Sequence, residues 1–84
     1  MKYKEYLNEL RNDVIQKLTA FHKAENELSL EGNGFIDKSY IDKREKTYKQ
    51  WQEAHNNFTS ILSFIVKNQI ALDQEVDLKK LNNI

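Results

Sequence analysis

The chain has 84 residues, enough for one domain, and its thirteen basic side chains balance thirteen acidic ones. Zero net charge disfavours non-specific nucleic-acid binding, which depends on cations that neutralise phosphates. The absence of cysteine excludes a disulfide framework and a thiolate metal site. The first residues hold no apolar run typical of a signal peptide, and the apolar cluster at 61–66 is too short to span a bilayer. We therefore expect a cytoplasmic protein with no membrane contact.

The first third of the chain predicts a long amphipathic helix over residues 2–29. Its apolar residues recur every three or four positions, and neither proline nor glycine interrupts them. The other faces carry Lys, Glu, Asn and Asp. The apolar stripe consists of Tyr3, Leu7, Leu10, Val14, Leu18, Phe21 and Leu28.

Residues 30–36 predict a turn, because both glycines of the chain, Gly32 and Gly34, fall there. Glycine beyond a helix end readily adopts the left-handed conformation that terminates the helix. Asn33, between the two glycines, tolerates the same conformation. The sequence therefore indicates two helices joined by a short connection, which pack antiparallel.

The same stretch, from Ser29 to Tyr40, resembles the twelve-residue calcium loop of EF-hand proteins. Glu31, Asn33 and Asp37 fall at positions that supply oxygen ligands, so the resemblance implies a calcium-responsive helix pair with these three as weak candidate ligands. The first and twelfth positions, normally carboxylates, are occupied by Ser29 and Tyr40, which removes two negative charges from the ligand set. A turn without metal is therefore the favoured interpretation.

A second, longer helix is predicted over residues 38–71. Asp37 suits its N-cap, and Ile36 and Ile41 take the two apolar positions of a hydrophobic staple. The apolar seam then follows a heptad-like path that includes two polar residues. Its members are Ile41, Tyr48, Trp51, His55, Phe58, Leu62, Ile65, Gln69 and Leu72.

These elements predict an all-α fold for a single domain, residues 1–84. It is an antiparallel helical hairpin, with a break near 71–74 and a possible short third helix over 74–82. Folding the chain about residue 32 sets Val14 opposite Trp51. The second helix then extends past the start of the first by ~12 Å, at 1.5 Å per residue.

The extending part of the second helix is the most apolar segment of the chain, and its apolar residues spread round more than half of the helix. A helix that is apolar on several faces is covered on several faces. We expect the cover to be the C-terminal segment or a second protein chain, with a helical bundle formed on self-association. The predicted protein interface is Phe58, Ile61, Leu62, Phe64, Ile65 and Val66.

A locally basic stretch begins the second helix and suggests an alternative function. Basic side chains interleaved with Tyr40, Tyr48 and Trp51 are typical of proteins that bind single-stranded nucleic acid. Acidic residues between them dilute the charge, so a solvated helix face is the favoured interpretation. The candidate nucleic-acid residues within the 38–51 face are Lys43, Arg44, Lys46 and Lys49.

The sequence offers no catalytic constellation. Its two histidines, His22 and His55, have no metal-binding spacing, and there is no nucleophile elbow or glycine-rich phosphate loop. We therefore expect no enzymatic activity, no cofactor and no small-molecule substrate.

The remaining class is a small protein–protein interaction module, acting as an adaptor, an inhibitor or a regulator. Its expected partners are a second copy, forming a homodimer, and/or another protein. Lysine far outnumbers arginine and asparagine is abundant, a bias typical of AT-rich coding DNA. The composition thus favours an origin in a phage or other mobile element of an AT-rich bacterium.

Overall fold

The computed structural model describes residues 1–28 and 34–81, which form three helices. These are α1 (Tyr3–Glu27), α2 (Lys38–Lys67) and α3 (Leu78–Leu81). The described residues contain no strand, only an isolated bridge between Lys2 and Glu75. The predicted all-α hairpin with a short third helix is therefore confirmed.

The start of α2 is set by the residue that the sequence indicated. The Asp37 carboxylate accepts a hydrogen bond of 2.9 Å from the backbone N–H of Ser39. This bond satisfies one of the donors that every helix leaves free at its start. It also lowers the pKa of the Asp37 carboxyl, because the bond favours the charged form.

Three contacts fix the register of the hairpin. The Phe21 and Tyr48 rings lie 5.3 Å apart, Glu25 contacts Arg44 at 2.7 Å, and Glu27 contacts a lysine of α2 at 2.6 Å. The midpoint in sequence of each contacting pair lies near residue 35, whereas the predicted register had its midpoint near residue 32. The difference is about one helical turn. The pairing of Val14 with Trp51 was therefore wrong, because the observed contacts set each α1 residue opposite an α2 residue about one helical turn further along the chain.

The end of α2 also differs from the prediction. The helix ends at Lys67, before the predicted boundary at 71, and Gln69 takes a left-handed conformation with φ 52°. The Ile70 N–H bonds the Ile65 carbonyl and the Gln69 N–H bonds the Val66 carbonyl, at 3.1 and 3.3 Å. This pair of bonds is a Schellman motif, which terminates helices. Gln69 is therefore a terminating residue and not part of the apolar seam.

The segment after α2 turns back and completes the start of α1. The backbone N–H groups of Tyr3 and Lys4 donate to the carbonyls of Gln74 and Leu72, at 3.0 and 2.9 Å. The Lys2 side chain makes no cap, so these carbonyls replace the usual capping side chain. Because the register sets the start of α1 at Tyr3 level with the end of α2 at Lys67, the predicted ~12 Å overhang of α2 does not exist.

The short α3 follows this segment. Its N-cap is Asp77, whose carboxylate accepts from the Lys79 N–H at 3.0 Å. The predicted third helix began earlier, at residue 74. In the structure, a turn closed by the hydrogen bond from the Gln74 N–H to the Ala71 carbonyl and the bridge at Glu75 precede α3. Residues 82–84 lie outside the described part of the chain.

The core of the hairpin is small. Among the described residues only Tyr3, Ala24, Ala54 and Ile65 are buried apolar side chains, together with Thr47. Tyr3 is the one large side chain that is completely enclosed, and its hydroxyl accepts a hydrogen bond of 3.2 Å from the Asp77 N–H. The long axis of the molecule measures 57 Å against 20 and 17 Å across. So thin a structure leaves most apolar side chains only half covered.

Candidate functional site

The hairpin has two long sides, and α3 covers part of one of them. On the α3 side, Leu81 shares a cavity of about 410 Å³ with Tyr6 and Leu10 of α1 and Ile61 of α2. On the other side, Arg44 of α2 pairs with the Glu25 carboxylate and lies over the Phe21 ring of α1, which also contacts the Tyr48 ring. We call this second side the open side, because no described element packs over it.

Both helices present apolar side chains to the open side. Residues four or seven positions apart lie along the same side of a helix. On α1 this spacing leads from the apolar residues to Glu25, and on α2 it leads from Arg44 to the apolar residues that face them. All of these side chains are half-buried or exposed. We define the open face as Leu7, Val14 and Leu18 of α1 with Tyr48, Leu62 and Val66 of α2.

The middle of the open side carries a row of stacked rings. Tyr48 and Trp51 have ring centroids 5.8 Å apart, and His55 stacks on Trp51 at 5.4 Å with an angle of 19° between the ring planes. The indole Nε1 of Trp51 is enclosed and has no hydrogen-bond partner in the described structure. Trp51 therefore contributes apolar and stacking contact here, while its N–H stays unsatisfied.

The predicted interface residues fall into three different environments. Ile65 is 5% exposed and belongs to the hairpin core, and Phe58 is half-buried. Ile61 and Phe64 are also half-buried, and Ile61 faces α3. Of the six, only Leu62 and Val66 are exposed, at 40% and 69%. A charge at position 65 would therefore damage the hairpin itself, and positions 62 and 66 are the ones that can report on docking.

A second concave region lies between α2 and α3. It is an open groove of about 760 Å³, with Phe64 at its apolar end and Lys67 and Lys80 at its edges. Hydroxyl and amide side chains make up the rest of its lining, namely Asn56, Thr59, Ser60, Ser63 and Asn68. The groove is open to solvent, and its lining combines the Phe64 ring with short polar side chains.

The candidate nucleic-acid residues are divided between two roles. Lys43 and Arg44 pair with the Glu27 and Glu25 carboxylates of α1 and so help to hold the hairpin together. The Lys43 hydrogen bond lowers the pKa of the Glu27 carboxyl, because it favours the charged form. Lys46 and Lys49 are exposed. The pairing leaves fewer free cations on the 38–51 face than the sequence indicated, and nucleic-acid binding there stays a prediction.

The calcium candidates are only partly described. Glu31 and Asn33 lie outside the described residues, while the Asp37 carboxylate is engaged with the α2 backbone. Gly34 does not adopt a left-handed conformation. Within residues 1–28 and 34–81, no three His, Asp or Glu side chains come together as a metal site. His22 and His55 are both exposed, and they lie on different helices.

Sequence reasoning missed the contribution of α1 to the open face. Leu7, Val14 and Leu18 belong to the apolar stripe that the periodicity indicated, and the stripe was assigned wholly to packing against α2. The angular position of each residue around the helix axis separates the two parts of the stripe, because these three residues lie toward one edge of it. Only the placement of α3 shows that this edge is left uncovered.

A comparison of the chain with known protein families, curated proteins and solved structures returns no match. The fold itself defines the class, an all-α helical hairpin closed by a short third helix. In the described part of the chain, no helix combines the length and the apolar character needed to cross a membrane.

Proposed function

We propose that this chain is a non-enzymatic protein–protein interaction module that docks through the open face of its hairpin. The observation that carries the proposal is the uncovered apolar face, where Leu62 and Val66 are exposed beside half-buried side chains of α1. Contiguous apolar surface of this kind marks interaction sites in soluble proteins.

The docking mechanism is the packing of helix faces. The apolar side chains of the open face supply the buried area, and the adjacent Tyr48 and Trp51 rings supply rigid aromatic surface, which is typical of binding hot spots. Charged side chains at the edges of α1 and α2 orient the partner. Adaptor, inhibitor and regulator roles all use this same chemistry.

The test is photo-crosslinking in cells that produce the protein. A photoreactive phenylalanine analogue placed at Leu62 should form adducts, because that side chain would touch the partner. The same analogue at Leu78 is the matched control, since Leu78 is exposed but lies on α3, on the opposite side. Adducts of defined mass from position 62 and none from position 78 support the proposal. Equal yields, or none at either position, would overturn it.

A further inference from the structure

We propose that the partner on the open face is a second copy of this chain, so that two hairpins pack into a four-helix bundle. This inference rests on the proposed function and names its partner. It is carried by three properties of the described structure: the excess of surface, the apolar character of the face on both helices, and the balance of charge.

The accessible surface is too large for a protein of this size. It amounts to 6721 Å² for a chain of 10.0 kDa. A compact monomer of that mass exposes about 5,200 Å² by the usual scaling of surface with mass, so the excess is about 1,500 Å². A standard interface buries about 800 Å² on each partner, and those of obligate homodimers bury more. The excess is larger than the area of a standard interface and falls within the range that obligate homodimers bury on each copy.

The open face is elongated and covers most of the hairpin's length. Leu7 lies near the end where α1 begins, and Tyr48 lies toward the connection between the helices. A face built from one line of side chains on each of two helices has the geometry on which the two helices of another hairpin can pack. A second hairpin supplies two helices, and four-helix bundles are formed in this way.

The charge of the chain permits self-docking. Thirteen basic and thirteen acidic side chains cancel, so two copies carry no net repulsion. In a two-fold dimer the same patch meets itself, which an apolar face achieves without complementary charges.

The test is the native mass of the purified chain by light scattering after size exclusion, in the micromolar range. The wild-type chain should have twice the 10.0 kDa mass of one chain. The double variant Leu62→Glu, Val66→Glu should weaken association about 100-fold or more, because each carboxylate would be buried without a partner. Its helical circular dichroism at the monomer mass shows whether the hairpin still folds.

Two further variants provide a matched control and an independent test. Leu78→Glu is the matched control, since Leu78 and Val66 are both 69% exposed, and it should remain dimeric. Val66→Glu alone places one charge at the most exposed residue of the open face, 69% exposed, and should also shift the chain toward monomers. It tests the proposal independently if the double variant loses its helicity.

Three results would overturn the inference. They are a wild-type chain of monomer mass, folded open-face variants that remain dimeric, and a dimer that Leu78→Glu dissociates. A monomeric wild type that still gives crosslinks from position 62 to another protein would refute the second copy and leave the proposed function standing. A monomer without such crosslinks would refute both.

Discussion

Gln69 offers a sharp test of how α2 ends. It occupies the left-handed position of the Schellman motif, with φ 52°, where glycine is the usual residue. Its side chain is exposed and makes no hydrogen bond in the described structure. Replacing it by glycine removes the Cβ that crowds the following carbonyl in this conformation, and no native contact is lost.

The size of the effect follows from two opposing contributions. A non-glycine residue in the left-handed region costs about 1–2 kcal/mol, which Gln69→Gly recovers. Glycine also makes the unfolded chain more flexible, which lowers stability by about 0.4–1 kcal/mol. The net expectation is a gain of about 0.5–1 kcal/mol in the free energy of unfolding, or roughly 2–8 °C in Tm for a domain of this length.

Urea and thermal unfolding followed by circular dichroism measure this gain, at one fixed protein concentration because association shifts Tm. Gln69→Ala is the control, since alanine keeps the Cβ and its unfavourable contact while it also lacks the glutamine amide. We expect Gln69→Gly to be more stable than both the wild type and Gln69→Ala. If glycine and alanine gave the same stability, the left-handed strain at this position would be refuted as the governing factor.

Three other changes test the described contacts. Tyr3→Phe should lower the free energy of unfolding by about 1–2 kcal/mol, because the Asp77 N–H loses its acceptor; equal urea midpoints would contradict this. Asp37→Ala should lower the urea midpoint because α2 loses its cap, and Asp37→Asn should keep most of the wild-type stability because its amide oxygen can accept the same hydrogen bond. The Lys43 contact lowers the pKa of Glu27 below its ordinary 4.5, so its stabilisation is present above pH 4.5 and is lost as the pH falls through the lower folded-state pKa. Urea midpoints between about pH 6 and pH 3 should show a smaller loss in Glu27→Gln.

The helices were predictable because local signals agree with the fold. The three-to-four spacing from Tyr3 onward, the lack of proline and the cap at Asp37 all act within one or two helical turns. The end of α2 was not predictable in the same way. A glutamine carries no stop signal, and the chain takes the left-handed conformation at Gln69 because the segment that follows it packs back on α1.

The register and the candidate site depend on tertiary structure, which the sequence specifies less directly. The connection between the helices sets which residues face each other, and a shift of one helical turn preserves the apolar pattern. The sequence shows that residues 58–66 are rich in apolar side chains. It does not show which of these side chains lie in the core, which face α3 and which lie on the open side. Ile65 and Val66 are neighbours in the chain, one buried and one exposed, because only one of them points toward α1.

The hydrogen bonds that join Tyr3 and Lys4 to Gln74 and Leu72 have a consequence for biosynthesis. The first turn of α1 is completed by carbonyls of residues that are synthesised after the whole of α2. The N-terminal hydrogen bonds of α1 therefore form only after the segment that follows α2 has been made. Closure of this end of the hairpin is thus a late step in folding during synthesis, whichever parts of α1 and α2 become helical before it.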